Sequence, residues 1–463
     1  MLSRPSARPR PLPLLVTATF GLFALALSCG DETDSDTSTG GSGGNAGHGG
    51  TASGGTGGTT TAGNTAGASG AGGAAGGTGG TKTGGITGGS GGTGDAAGSG
   101  GTGGQTTPDA GTGGAGDRPD ASGSDAAPTS PAVQLRGRFD HTDTPPTTFG
   151  WAGSAMVARF NGTGVTIQLS GSDDRYQIVI DGTPTSVLKV TASGKYEVAK
   201  GLPSGTHEME LWRRTESNWS QSSYLGIEVT GGQLLAPPAR PDRRIEIYGD
   251  SITAGYGVDG AGPNCSVSQD NSNNYLSYGS VAARALSAEL HTVAWSGIGM
   301  YRGYGETTPA ANSMTMPKVY DRIMPYAPAS PVIDNAWDFA SWQPHAVVIN
   351  LGTNDASSKG DPGMPYRTAY LDFVRGLRGK YPNAFFVLSI GPMLDGESLK
   401  AIRTHLQEVM KTRASEGDTK MSYLEFPVQV QADGFGCDWH PSAKTQAKMA
   451  DVLIAELKKQ LSW

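Results

Sequence analysis

From Val133 to Glu228 the chain alternates apolar and polar residues over short runs separated by turn residues. Met156 to Leu169 alternates across a break at Asn161-Gly162-Thr163-Gly164, Tyr176 to Ile180 runs into Asp181-Gly182, and His207 to Trp212 alternates again. Alternation of this kind, with turn chemistry between the runs, predicts antiparallel strands, and no helical period competes with it. Residues 131–238 are therefore expected to form a small all-β, jelly-roll-like sandwich. Pro237, Pro238 and Pro241 mark a stiff boundary behind it.

After Arg243 apolar runs alternate with helical periods. Strands are expected at Arg244 to Tyr248, Thr292 to Trp295, Ala346 to Asn350, Phe385 to Ile390 and Tyr423 to Phe426. Between them, Tyr278, Val281, Ala282, Ala285 and Leu286 follow a helical period. So do Tyr366, Tyr370, Phe373, Val374 and Leu377, then Leu399, Ile402, Leu406 and Met410, and finally Met449, Val452, Leu453 and Leu457. Repeated strand and helix units imply an α/β domain over 239–463, a three-layer α/β/α parallel sheet covered on both faces. In such sheets ligands sit beyond the carboxyl ends of the strands. Ser251, Ser296-Gly297 and Gly352-Thr353-Asn354-Asp355 each follow such an end, so three distant segments could line one crevice.

Composition changes the picture in front of these two regions. The chain has 463 residues and 72 glycines, concentrated between about Gly40 and Gly116 in runs such as Gly-Thr-Gly-Gly-Thr. Such a segment offers too little apolar surface to offset its ordering entropy, and without a strict triplet and abundant proline it cannot be collagen. Residues 30–130 are read as a flexible tether; about 95 residues of this kind would have a reach of roughly 50–60 Å. Residues 1–29 carry Arg4, Arg8 and Arg10, an apolar stretch from Pro11 to Leu27, and then Ser28 and Cys29. That is the layout of an export signal, and the stretch is short for a membrane span. Ala26-Leu27-Ser28-Cys29 resembles a bacterial lipobox, which would make Cys29 a lipidated N-terminus and the chain a membrane-tethered lipoprotein at the cell envelope. A cleaved soluble signal and an uncleaved anchor are the alternatives.

Cys265 and Cys437 then remain as a pair in an oxidising setting, where a disulfide is expected, with two buried free thiols as the alternative. The bridge would close a loop of about 170 residues, worth on the order of 5 kcal/mol in the chain-entropy account. With no Cys/His cluster, no metal site is expected. The net charge of −7 comes with no basic patch, so no nucleic-acid partner is expected either.

The strand entering Gly249-Asp250-Ser251 and a glycine-punctuated turn is a way to present a nucleophilic serine, which needs a base and donors for an oxyanion. Of the seven histidines, His48 lies in the tether, His141 and His207 in the β region, His291 and His345 just before strands, and His405 in a helical period. His440 sits in the loop Gly436-Cys437-Asp438-Trp439-His440-Pro441-Ser442, between the last strand and the last helix.

Gly249-Asp250-Ser251, Ser296-Gly297, Gly352-Thr353-Asn354-Asp355 and His440-Pro441 match in order the four blocks of the GDSL or SGNH hydrolases. With the β-sandwich in front, a cysteine soon after the serine and Gly-Cys-Asp-Trp-His-Pro-Ser near the end, the chain from about Val133 to Trp463 resembles carbohydrate esterase family 2. The resemblance implies Ser251 as nucleophile, His440 as general base, and an oxyanion hole made by the backbone N–H of Ser251, the N–H of Gly297 or else Gly299, and the Asn354 amide. Cys437 occupies the position where many superfamily members carry the acidic triad residue. The orienter of His440 is then either the Asp438 carboxylate or a backbone carbonyl. Trp439 is expected to stack on a sugar or simply to pack. Tyr301, Tyr304, Trp337 and Trp342 fall in a long segment where substrate loops are common.

The activity implied is cofactor-free removal of acetyl groups from polysaccharide such as acetylated xylan through an acyl-enzyme, by a monomer, with a preference for primary sugar hydroxyls. Peptidoglycan acetyl groups and small lipid or aryl esters are alternative substrates. A non-catalytic carbohydrate-binding surface lipoprotein is the alternative class.

Overall fold

A computed structural model describes residues 133–140, 145–216, 221–325 and 335–463 of the chain. The expected export signal with Cys29, the expected tether of 30–130 and His141 lie outside the described residues.

The first region consists of β1 (Val133–Arg136), β2 (Thr147–Phe149), β3 (Ala155–Gly162), β4 (Gly164–Ser170), β5 (Asp174–Ile180), β6 (Thr183–Val190), β7 (Gly194–Ala199), β8 (Gly205–Arg213), β9 (Ser222–Thr230) and β10 (Gln233–Leu234). One sheet runs β1-β3-β8-β5-β6 with β10 also on β3, the other β2-β9-β4-β7, and every pairing is antiparallel. The alternating residues do what their period requires. Met156, Ala158, Phe160, Met209 and Leu211 from one sheet meet Val165, Ile167, Leu169 and Tyr224 from the other in a single buried cluster. The tight turn expected at Asp181-Gly182 joins β5 to β6, with both residues at positive φ.

The second region is the parallel layer. Its strands are β11 (Arg243–Gly249), β12 (Ala288–Ala294), β13 (Ala346–Asn350), β14 (Phe385–Ile390) and β15 (Met421–Glu425), in the order β12-β11-β13-β14-β15. The helices are α1 (Ser251–Ala254), α2 (Tyr278–Ala285), α3 (Thr353–Ala356), α4 (Gly363–Lys380), α5 (Gly396–Ser415) and α6 (Ala443–Leu461). α2 and α6 cover one face, packing Tyr278, Ala282, Met449 and Leu453 on Ile245, Ile247 and Val348. The other face is covered by α4 and α5, through Tyr370, Phe373, Leu406 and Val409 on Tyr248, Ile349 and Leu388. Because β12 and β13 flank β11, the chain reverses direction across the sheet at β11, and a crevice opens at the carboxyl ends of these three strands.

β11 extends one residue beyond the sequence expectation at each end, and two strands start two or more residues earlier than expected. β12 begins at Ala288 rather than Thr292, so His291 lies inside the strand, and Trp295 lies beyond its end. β15 covers Met421–Glu425 and leaves Phe426 outside.

The two regions share a polar joint. Arg138 from the sandwich enters the parallel layer and pairs with Glu246 of β11 at 2.8 Å, both side chains essentially inaccessible. Arg138 also donates to the Arg322 carbonyl at 3.0 Å, and the Trp151 indole donates to the same carbonyl at 3.1 Å. Ala155, Val179 and Trp212 pack on Tyr275 of the second region.

Candidate active site

β11 must turn sharply into α1 at Gly249, where a Cβ would come within 2.0 Å of the Thr253 hydroxyl. Asp250 caps the short helix, its Oδ1 accepting from the Ile252 N–H at 3.0 Å. This cap sets Ser251 at the first helical position, where its backbone N–H has no partner within the helix. Asp250 is fully buried and its Oδ2 has no partner. Burial, together with the nearby Asp355 and Glu216 charges, pushes its pKa up to about 7.

His440 arrives from the loop between β15 and α6. That loop is tied down at several points: Gly436 N–H donates to the His440 carbonyl at 2.8 Å, Cys437 N–H donates to the Gly257 carbonyl at 2.9 Å, and Cys437 is disulfide-bonded to Cys265. The thiols expected as a pair are thus joined across 172 residues, linking the serine-side loop to the histidine loop.

His440 Nε2 lies 2.8 Å from Ser251 Oγ, and Nδ1 lies 2.9 Å from the backbone carbonyl of Asp438. A carbonyl can only accept, so Nδ1 carries the proton and Nε2 turns its lone pair to the serine hydroxyl. Of the two orienters left open by the sequence, the carbonyl is the one at Nδ1, while the Asp438 side chain is exposed. The reason is local: Asp438 and Trp439 take positive φ of 53° and 59°, and this left-handed turn points the carbonyl inward and the carboxylate out. Burial holds the His440 pKa below its ordinary value, opposed by the bond to the Asp438 carbonyl and by the Asp438 charge. This burial favours the neutral imidazole that a general base requires. The Tyr256 ring packs 4.6 Å from it.

Asn354 stands on α3, just past β13. Its Nδ2 donates one hydrogen to the Ile298 carbonyl at 2.8 Å, which fixes the amide and leaves the second hydrogen for the crevice. The neighbouring Asp355 accepts from the N–H groups of Met300, Tyr301 and Arg302 at 2.9, 2.8 and 3.0 Å. Gly299 is packed against this clamp, and a Cβ there would meet the Arg302 carbonyl at 2.0 Å. Gly297, by contrast, lines the cavity, with φ of 79° and open space where a Cβ would stand.

The cavity measures about 580 Å³ and is lined by Ser251, Gly297, Asn354 and His440, with Tyr304 and Trp439 at its mouth. Tyr304 and Trp439 are 66% and 54% exposed, unusual for large aromatic rings beside a polar crevice. The other aromatic residues of the long segment are elsewhere: Trp342 stacks on His291 at 3.6 Å and Trp337 meets the same ring edge-on.

Two neighbours of the site were not singled out from the sequence. Tyr256 follows the serine in the same glycine-rich turn and could have been suspected. Glu216 could not, because it comes from the sandwich: its carboxylate accepts from the Ser296 N–H at 2.6 Å and from the Ser296 hydroxyl. Burial pushes its pKa up to about 7 against those two bonds.

A nucleophile elbow, a neutral histidine on a carbonyl and converging donors define the architecture of a serine hydrolase of the GDSL type. The family model for GDSL-like lipase/acylhydrolases matches residues 247–448, and that for the N-terminal domain of carbohydrate esterase 2 matches residues 135–238. Cellulase/esterase CelE of Acetivibrio thermocellus is 37% identical over 336 residues, which span 72% of this chain and 40% of that relative's length. An acetylxylan esterase / glucomannan deacetylase of Cellvibrio japonicus is 29% identical, covering 73% of this chain and 91% of that one. Among solved structures, a family two carbohydrate esterase from Clostridium thermocellum in complex with cellohexaose is 36% identical with a TM-score of 0.68, over 72% of this chain and 99% of that one. The chain belongs to carbohydrate esterase family 2.

Proposed function

We propose that the protein is a serine esterase that removes O-acetyl groups from polysaccharide, with acetylated xylan or glucomannan as the substrate class. The observation that carries this reading is the 2.8 Å contact between Ser251 Oγ and a carbonyl-oriented, neutral His440. The polysaccharide assignment draws on the kinship to an acetylxylan esterase / glucomannan deacetylase and to an esterase bound to cellohexaose.

In this reading Ser251 Oγ attacks the acetyl carbonyl while its proton passes to His440 Nε2. The oxyanion receives the Ser251 N–H, the Gly297 N–H and the free hydrogen of the Asn354 amide. Collapse breaks the bond to the sugar oxygen, which leaves with the proton from His440. Water then attacks the acetyl-serine under the same base and releases acetate. Trp439 and Tyr304 offer faces on which a pyranose can stack beside the reacting ester. The Cys265–Cys437 bridge keeps the base-bearing loop in register with the serine, where about 1 Å of misplacement can cost 10²-fold. Export and lipid attachment at Cys29 complete the reading and rest on the lipobox-like sequence; labelling with an alkynyl fatty acid that survives in Cys29→Ser would remove the anchor from it.

The test is acetate release from acetyl-xylan, acetyl-glucomannan and acetylated peptidoglycan, alongside burst release from 4-nitrophenyl acetate. Ser251→Ala and His440→Ala are each expected to lower kcat by on the order of 10⁴–10⁶. Unchanged turnover in both variants would remove the catalytic assignment, and faster turnover of peptidoglycan than of the hemicelluloses would replace the substrate class.

A further inference from the structure

Glu216 lies just past β8, within a strand end that is fixed independently of the crevice. The buried Arg213 guanidinium donates to the Thr215 carbonyl at 3.0 Å and the Glu216 carbonyl at 3.3 Å, and is itself paired with the buried Asp174 at 2.7 Å. The Arg214 carbonyl accepts from the Asn274 N–H at 3.0 Å, and the Arg214 side chain pairs with Asp259. From this anchored backbone the Glu216 side chain, 1% exposed, reaches across to Ser296, the residue before Gly297.

An ideal Cβ at Gly297 would meet nothing within 4 Å, so hydrogen bonds rather than side-chain packing hold the turn: the Gly297 carbonyl accepts from the Tyr304 N–H at 2.9 Å, and the Ile298 N–H donates to the Trp295 carbonyl at 3.3 Å. The chain on its far side is clamped by Asp355, which takes the N–H groups of residues 300–302. On its near side Ser296 is gripped through both its N–H and its hydroxyl by Glu216. Two carboxylates, one from each region, thus bracket the turn whose residues Ser296 and Gly297 line the cavity. We propose that Glu216 is a positioning residue for acyl transfer, so that the sandwich domain completes the hydrolase site by holding the Ser296-Gly297 turn at the distance the oxyanion requires. This deepens, and rests on, the acyl-enzyme reading of the same site.

The consequence is read in kcat rather than in KM, because the Gly297 N–H gains its full value only when the oxyanion forms. On 4-nitrophenyl acetate and acetyl-xylan, with the full chain and with folding checked by circular dichroism, Glu216→Ala is expected to lower kcat about 10–100-fold and to move KM by less than about twofold. Glu216→Gln is expected to restore at least about a third of wild-type kcat. Its amide oxygen can accept from the Ser296 N–H while its NH₂ donates to the Ser296 hydroxyl. A folded Glu216→Ala with kcat within about twofold of wild type would overturn the proposal, as would a Glu216→Gln as impaired as Glu216→Ala.

Should Glu216→Ala fail to fold, Ser296→Ala supplies the test from the other side of the contact. It removes only the hydroxyl bond and is expected to lower kcat several-fold, and an unchanged kcat there overturns the proposal. Ser251→Ala, assayed in parallel, separates the two levels. If Ser251→Ala is inert while Glu216→Ala is fully active, only the positioning role falls. If Ser251→Ala remains active, the acyl-enzyme reading itself falls.

Discussion

In the sandwich, the deeply buried charges away from the crevice meet opposite charges: Arg213 pairs with Asp174, and Arg138 crosses to Glu246 of β11, whereas the Glu216 carboxylate at the crevice meets Ser296 instead. In the parallel layer, the buried ionisable groups at the strand carboxyl ends are treated differently. Asp250 keeps one oxygen without a partner and has its pKa pushed up to about 7, Asp355 is shifted upward by burial, and His440 is shifted downward by burial against a carbonyl rather than a carboxylate. Paired charges lock a geometry, whereas groups whose charged form is disfavoured are placed to exchange protons or to stay neutral beside a reaction. The sandwich therefore reads as the region that holds and the parallel layer as the region that reacts, with Glu216 as the point where holding reaches the chemistry.

The largest effect that could break this division is expected at the joint. Arg138→Ala leaves the Glu246 carboxylate buried without its partner, a loss of about 3–5 kcal/mol of stability. Urea unfolding should show it as a fall in the transition midpoint, while the fraction that remains folded should keep its kcat. A large kcat loss in folded Arg138→Ala would mean that the joint is part of the catalytic device and that the division is wrong.

The reverse signature is expected at Asn354. Its side chain acts in this reading as an oxyanion donor, so Asn354→Ala should lower kcat by about 10²–10³. It does give up the bond to the Ile298 carbonyl, which is worth about 1 kcal/mol. The unfolding midpoint should therefore move much less than in Arg138→Ala. An Asn354→Ala protein that loses stability and keeps kcat would assign the amide to loop structure alone.

How much of this was legible in the sequence depends on where each partner lies. β13 and β14 begin and end where the apolar runs Ala346 to Asn350 and Phe385 to Ile390 do, because both are buried on both faces. β12 starts ahead of its legible apolar run because Glu289 and His291 interrupt that run, and their satisfaction comes from afar: Arg240 donates to Glu289 at 2.8 Å and Trp342 stacks on His291. β6 has almost no buried face, so Thr183–Val190 carried little alternation to read. Ser251, Asn354 and His440 stood out because their loops carry side-chain chemistry in motif order. The orienter of His440 did not, since it is a backbone atom selected by φ at Asp438. Glu216 was illegible for another reason: its partner Ser296 lies 80 residues away on the other side of a domain boundary.

The smallest effect is expected at Asp438, and it probes what kind of support the reacting region uses. If the carbonyl alone orients His440, replacing the carboxylate should cost little, provided that the left-handed backbone is kept. Asp438→Asn meets that condition, because asparagine tolerates positive φ about as readily as aspartate. Its kcat at neutral pH is expected to stay within about threefold of wild type, far from the roughly 10⁴-fold loss that follows when a triad carboxylate fixing the histidine tautomer is neutralised. The sign of the remaining effect follows from the charges. Burial already lowers the His440 pKa, and the exposed Asp438 carboxylate partly raises it again. The acidic limb of kcat/KM, which reports protonation of the base in the free enzyme, should therefore lie below the ordinary histidine value of about 6.5. In Asp438→Asn it should move further down in pH, not up. A loss of 10³ or more in kcat, or a limb displaced upward, would place the carboxylate in the reacting machinery and give the histidine the charged support that its backbone carbonyl otherwise replaces.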